Sequence, residues 1–362
     1  TGLGVALVWT VQVSSGFTLP KLLVLSAGVA FTALALLLDG DAPEGPRALL
    51  PPLAALFAAL ALSTALSVDP WVSLFGRYDA WSHGVWAVLL YASLLWLSAG
   101  ALAGVERQAV GWMAGLGTLL SLDALAQRAG LDPFIRREIL PLGRAVATLG
   151  SPIDLGAALA LLAPSALWAG RAAGLAGWAS LAVVSAGLWA AGSRGAWLAA
   201  ACGAVTFWAL DGAPSSMNRW TPRAKRVGLA ACLAAVFLGL AFTLRPGRDV
   251  PRWEIWKTAG RAFVEHPLLG SGPDTFEMDF RRLRGVGFVR AMRLTTAQQA
   301  YAHNDLLQAL ATTGLLATAA YLWLLLALAG QARKALSSTE LRGPAAAAAA
   351  GLAALFVNLK FN

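Results

Sequence analysis

The sequence predicts an all-α polytopic membrane protein with about 11–12 transmembrane helices and one large extracytoplasmic loop that contains short amphipathic helices. Three observations carry this. Of 362 residues, 58% are hydrophobic and 13% charged, with a mean hydropathy of +0.64, whereas soluble globular chains carry about 25% charged residues. Apolar segments near the roughly 17 to 25 residues needed to cross a bilayer recur along almost the whole chain. The longest interruption is residues 245–303.

In order, spans are expected near residues 2–12, 21–38, 48–66, 84–104, 109–126, 153–170, 172–192, 195–211, 227–244, 304–330 and 344–362. The resulting organisation is a transmembrane bundle over 1–244, a large loop over 245–303 and C-terminal spans over 304–362. The first span is short and the last stops at Asn362, so a further span is expected beyond the ends. The opening segment has neither a basic n-region nor a small-residue cleavage site and reads as part of a span. Cys202 and Cys232 fall inside predicted spans and read as small apolar fillers. The tryptophans near span ends, such as Trp71, Trp81, Trp112 and Trp253, suit an interfacial aromatic belt.

Two short loops are basic: SSMNRWTPRAKR, with Arg219, Arg223, Lys225 and Arg226, and RKALSSTELR, with Arg333, Lys334 and Arg342. The positive-inside rule places both in the cytoplasm, which puts 245–303 on the opposite face. That long loop is itself basic, with Arg245, Arg248, Arg252, Lys257, Arg261, Arg281, Arg282, Arg284, Arg290 and Arg293. Long loops translocate largely regardless of charge, so the short loops decide the orientation. Within the long loop, PRWEIWKTAGRAFVEHP has helical periodicity closed by Pro267, and PDTFEMDFRRLR follows the break LLGSGP as a second amphipathic helix. Ser271 in this loop and Ser216 in the first basic loop read as surface positions.

On the outer face this orientation gathers Arg77, Arg144, Arg194, Arg252 and His303. Arginine suits phosphate because its planar fork donates two parallel hydrogen bonds and stays charged. No H-E-x-x-H, C-x-x-C or paired-Asp motif is present, so no metal or other cofactor is expected and neutralisation falls to arginine. A solvated basic face is the plain alternative for any single arginine, and snorkelling is the plain alternative for Arg194. His303, with an ordinary imidazole pKa of about 6.5, can accept a proton near neutrality as a general base. An isolated histidine before a span is ordinarily interfacial, and only its neighbours make it a candidate. His83, in a short outer loop, and His266, before Pro267, lack such neighbours. Asp305 suits the first turn of the helix that follows His303, and Asp123 lies near a span end.

The run HNDLLQALATTG resembles the H-[NSQ]-x9-G-x-x-G pattern of O-antigen ligases and the related polymerases of lipid-linked glycan repeats. His303, Asn304 and Gly314 match it, while Ala317 stands where the final glycine belongs. SVDPWVSLFGRYDAWSHG, RAVATLGSPIDLG, GSRGAWLA and RWEIWKTAGRAFVEHPLLGSGPDTF resemble further segments of the same family. The resemblance implies a metal-independent, inverting glycosyltransferase in the bacterial inner membrane, with its site facing the periplasm. Its donor would be a glycan on undecaprenyl pyrophosphate. His303 would be the general base; Arg194 and Arg252, with Arg144 and Arg77, would bind pyrophosphate; Asn304, Asp305 and Gly314 would support the site. The acceptor is left open between lipid A core, a further repeat unit and a protein hydroxyl, that is, between ligase, polymerase and protein O-oligosaccharyltransferase. Membrane lipids are expected partners and nucleic acid is not. A transporter or flippase for lipid-linked sugars is the alternative of another class, and would call for broken helices in both halves and an internal repeat. A structural or receptor membrane protein would not need the histidine and arginine set at all.

Overall fold

The structure is a computed structural model that describes residues 19–39, 45–78, 83–132, 143–211, 250–292 and 298–360. The expected spans 2–12 and 227–244, the loop with Arg219, Arg223, Lys225 and Arg226, and Ser216, Cys232, Arg245, Arg248 and Arg293 lie outside these residues.

The described helices are α1 (Leu19–Asp39), α2 (Leu50–Ala65), α3 (Pro70–Phe75), α4 (Val85–Ala101), α5 (Glu106–Ala129), α6 (Pro152–Ala172), α7 (Leu175–Ala191), α8 (Arg194–Asp211), α9 (Val250–Glu265), α10 (Phe276–Leu283), α11 (Val286–Met292), α12 (Asp305–Ser337) and α13 (Arg342–Asn358). No strand occurs among the described residues. Four helical stretches are long and apolar enough to cross a membrane: Arg47–Ala65, Glu106–Ala129, Pro152–Ala172 and Asp305–Ser337. Shorter apolar helices occupy Lys21–Ala35, Val85–Ala101 and Leu175–Ala191. The protein is an all-α polytopic membrane protein.

Two compact units emerge, each with its own core. One contains the described parts of 102–240 and 329–362. Its centre is α6, which starts where Ser151 caps the chain and Pro152 presets the first turn. Leu120, Leu155, Leu159, Leu162 and Leu188 fill the core among alanines. With no hydrophobic drive between helices in lipid, small residues set how closely backbones approach. A Cβ on Gly156 would stand 2.7 Å from the Cβ of Ala196, so α6 and α8 can cross there only on glycine.

The other unit contains the described parts of 10–101 and 241–328. Leu49, Leu53, Leu56 and Leu60 pack against Ala317, Ala320 and Leu324 of α12. The two expected helices of the long loop are α9 and α10; α11 is a third that the periodicity missed. They enclose Phe276, Phe280 and Phe288, with Phe280 and Phe288 edge to face at 4.8 Å and 85°. Such a pair contributes about 0.5–1.5 kcal/mol beyond its buried area.

The expected unbroken span 304–330 is instead interrupted at Gly314, which adopts φ 68° and ψ −171°, a region that is essentially glycine-only. The break exposes backbone groups that residues 267–272 satisfy. Ser271 N donates to Ala311 O at 3.3 Å and Gly272 N to Thr312 O at 2.8 Å, while Leu315 N reaches Pro267 O at 2.9 Å. Ser63 Oγ of α2 donates to Leu269 O at 2.6 Å. Non-helical backbone at membrane depth persists only where protein buries and pairs it, and LLGSGP is built to do so. Ser271, expected at the surface, is therefore buried and shares a hydrogen bond with Thr275 at 2.9 Å.

Candidate active site

His303 occupies the turn into α12, half-buried, with φ 53°. Left-handed backbone is uncommon for non-glycine residues, although histidine tolerates it better than most. The turn is pinned on both sides. Ala302 is fully buried; its amide donates to Gln308 Oε1 at 2.7 Å, and its carbonyl accepts from Trp256 Nε1 at 3.1 Å. Asn304 caps α12, its Oδ1 accepting from the amides of Leu306 and Leu307 at 3.1 and 3.2 Å. Such a cap contributes about 1 kcal/mol. Asp305 follows in the first turn, where a negative side chain opposes the helix dipole. His303 Nε2 lies 3.2 Å from Gln299 Oε1, an orienting partner that sequence reasoning missed.

Arg252 lies in the first turn of α9, half-buried, and makes no ion pair or side-chain hydrogen bond among the described residues. It stands four residues before Trp256, so the two share a helix face. That face meets the His303 turn, because Trp256 holds the carbonyl of Ala302. A cation near a helix N-terminus is repelled by the positive end of the dipole, so nothing in α9 itself calls for arginine here.

Arg77 is differently placed. Its Nη1 donates to Glu277 Oε2 at 2.6 Å, its amide donates to Asp274 Oδ2 at 2.8 Å, and its guanidinium lies 5.2 Å from the Tyr301 ring centroid. Glu277 also accepts from Arg281 at 2.6 Å. Burial, the largest single influence on the Glu277 carboxyl, raises its pKa, but hydrogen bonds from Arg281 and Arg77 and their charges together hold it below its ordinary value. His83 joins this group, its Nδ1 3.5 Å from the Tyr301 hydroxyl. Tyr301, Glu277 and Asp274 carried no motif and were missed. His266 is exposed after α9.

In the other unit, Arg194 begins α8 directly after the Gly192–Ser193 turn. It is exposed and makes no ion pair or side-chain hydrogen bond among the described residues. Arg144 reaches the same turn, donating from Nε to Ala191 O at 2.9 Å and so covering the negative end of α7. Arg128, which sequence reasoning passed over, lies over the Trp189 ring at 4.7 Å and donates to Gly143 O at 2.7 Å. Gln127 Oε1 ties the segment down through the amides of Val146 and Ala147 at 3.0 and 2.9 Å, and Ala147 there adopts φ 46°.

Residues 176–322 match the family model described as O-antigen ligase. Over that region the chain is similar to the O-antigen ligase superfamily. No curated protein matches it. The O-antigen ligase match contains Arg194, Arg252, His303, Asn304, Asp305 and Gly314, while Arg77 and Arg144 lie before it. Within the O-antigen ligase region, then, stand a histidine on a pinned left-handed turn and two arginines that make no ion pair or side-chain hydrogen bond among the described residues. Gly314 of the sequence pattern is the residue that breaks α12, and Ala317, in the second glycine position, is a buried helical residue of the α2–α12 core. Among the described residues no group of three or more His, Cys, Asp or Glu side chains is arranged to hold a metal ion.

Proposed function

We propose that the protein is an integral-membrane glycosyltransferase of the O-antigen ligase kind. It would move a glycan from undecaprenyl pyrophosphate to an acceptor hydroxyl at the periplasmic face of the bacterial cytoplasmic membrane. The observation that carries the reading is the His303 turn, fixed by Asn304, Gln308 and Trp256 and adjoining Arg252, which no carboxylate neutralises among the described residues. In this reading residues 1–244 and 304–362 supply the transmembrane spans, and 245–303 form the periplasmic loop.

The acceptor oxygen attacks the anomeric carbon as its proton passes to His303. The bond from that carbon to the pyrophosphate oxygen breaks on the opposite side, so the anomeric centre inverts, and lipid pyrophosphate leaves with the electron pair. Arg252, in the unit that carries His303, holds the pyrophosphate and neutralises the charge that develops on it; for Arg194 and Arg144 the same role is proposed from the sequence resemblance. Fixed cations aimed at the leaving group lower the barrier because no reorganisation is needed during the reaction. No nucleotide sugar or metal takes part. Asn304 and Asp305 stabilise the helix behind the base, and Gly314 allows the break that seats the loop. Arg77, already neutralised by Glu277 and Asp274, is assigned to the loop rather than to pyrophosphate.

The decisive assay gives the purified, reconstituted protein an undecaprenyl-pyrophosphate glycan together with lipopolysaccharide core, free repeat units or protein. Transfer to core is expected. Transfer to repeat units or to protein would make it a polymerase or a protein oligosaccharyltransferase, and transfer to none of them would remove the reading.

A further inference from the structure

The unit that contains His303 has a cavity of about 380 Å³ lined by Arg77, Tyr78, Asp274, Glu277, Met278 and Arg281. Its size falls in the range of sites that take one small ligand. We infer that this cavity binds an uncharged sugar ring of the acceptor glycan. The inference rests on the transferase reading and names the acceptor's side of it.

The lining discriminates by charge. Two guanidiniums and two carboxylates meet there, and they are already paired: Arg77 with Glu277 at 2.6 Å, Arg281 with Glu277 at 2.6 Å, and Arg77 Nε 4.0 Å from Asp274. An incoming phosphate or uronate would set its charge beside Glu277 and Asp274, whose own charges already balance the two arginines, an unfavourable juxtaposition. A hydroxyl meets no such obstacle. It donates to a further lone pair of Glu277 and accepts from an Arg281 guanidinium N–H, adding to the ion pair without opening it.

The walls also suit a pyranose. Tyr78 is 72% exposed and offers a flat apolar ring for the C–H face of a sugar. Met278, 39% exposed, provides a deformable apolar contact. Ion pairs that served only to tether residues 72–78 to α10 would not need an open cavity with an exposed aromatic ring on its wall.

Position links the cavity to the chemistry. Arg77 Nη2 lies 3.4 Å from the Tyr301 hydroxyl, and Tyr301 precedes His303 by two residues, at most about 7 Å of extended chain. A sugar seated against Arg77 and Glu277 is held beside the turn that presents the base. The cavity thereby becomes a specificity element that orients the acceptor hydroxyl.

The test is saturation-transfer NMR on the full chain in lipid nanodiscs free of glycoside detergent. The probes are methyl glucoside, methyl galactoside and N-acetylglucosamine, set against glucuronate and inorganic phosphate. At least one neutral sugar should receive saturation, and neither anion should compete with it. Met278→Trp fills the cavity without touching an ion pair and should cut the signal about tenfold, equivalent to about 1.4 kcal/mol. His303→Ala should leave it unchanged. No transfer to any neutral sugar, an undiminished signal in Met278→Trp, or a signal from the anions alone would overturn the inference. Because the readout is binding, a failure of glycosyl transfer with sugar saturation intact counts against the transferase reading alone.

Discussion

The amide of Leu316 donates to the carbonyl of Leu268 at 3.2 Å, across the break that Gly314 makes in α12. The long loop is thus spliced into a membrane helix by main-chain hydrogen bonds. A Cβ on Gly314 would collide with the Leu268 carbonyl and stand 2.5 Å from the Leu269 amide nitrogen.

Gly314→Ala is therefore expected to destabilise the fold by more than the roughly 1–3 kcal/mol of backbone strain alone, because the neighbouring atoms are main chain and cannot swing aside. Thermal unfolding of purified protein checks this. Ala317→Gly, in the other glycine position of the pattern, should cost only about 1 kcal/mol of helix propensity. Equal effects at both sites would contradict the assigned geometry.

The Arg77–Glu277–Arg281 group should make stability sensitive to acid. Glu277 has its folded pKa held below the ordinary 4.5 by the two arginines. The stabilisation it brings is therefore fully present above about pH 4.5 and is lost as pH falls through the lower folded value. Glu277 is partly solvated, so the effect is a modest slope in melting temperature below pH 5. Glu277→Gln should lower the neutral-pH melting temperature and flatten that slope. A mutant whose acid slope matches wild type would remove Glu277 as its source.

Much of this architecture was legible in advance. Runs such as PIDLGAALALLAPSALWAGRA are apolar over a membrane's thickness, and periodicity located α9 and α10 because both carry one apolar face. The break in α12 was not legible. Nothing in ATTGLLATAA stops a helix, and the groups that hold it open lie in residues 267–272 and at Ser63. Arg77 shows the same limit. Alone in a short loop it resembled a free phosphate ligand, but its carboxylate partners lie 197 and 200 residues further on. Local pattern reports burial and periodicity, while the partner of a charge is decided by tertiary proximity.

The proposed donor-binding arginines, Arg194 and Arg252, make no ion pair among the described residues, and Arg77 does. Arg252→Ala and Arg194→Ala should each weaken binding of the lipid-pyrophosphate donor while leaving thermal stability within about 0.5 kcal/mol, because neither side chain makes an ion pair or hydrogen bond among the described residues. Lysine should rescue only partly, because the bidentate fork is lost. Arg77→Ala should do the reverse, lowering stability with little change in donor affinity. Donor titrations and melting curves on the three variants separate the roles, and unchanged donor affinity in both Arg194→Ala and Arg252→Ala would make those arginines structural.

Orientation can be read with cysteine probes in a background lacking Cys202 and Cys232. Ser271 is unsuitable because it is buried, whereas Val264 at 76% and Leu175 at 87% exposure are open. With the long loop periplasmic, Val264→Cys in intact cells should react with a membrane-impermeant thiol reagent. Leu175→Cys should react only after lysis. The opposite labelling would place the His303 turn in the cytoplasm and refute the proposed orientation.

The central claim is that His303 takes the acceptor proton, and its most direct measurement is glycan transfer by reconstituted His303→Ala alongside its affinity for the donor. Loss of a general base should lower transfer about 100-fold or more, with donor affinity and melting temperature close to wild type because Asn304, Gln308 and Trp256 still hold the turn. Transfer near the wild-type rate by the folded mutant would contradict the assignment and return His303 to a structural residue at the start of α12.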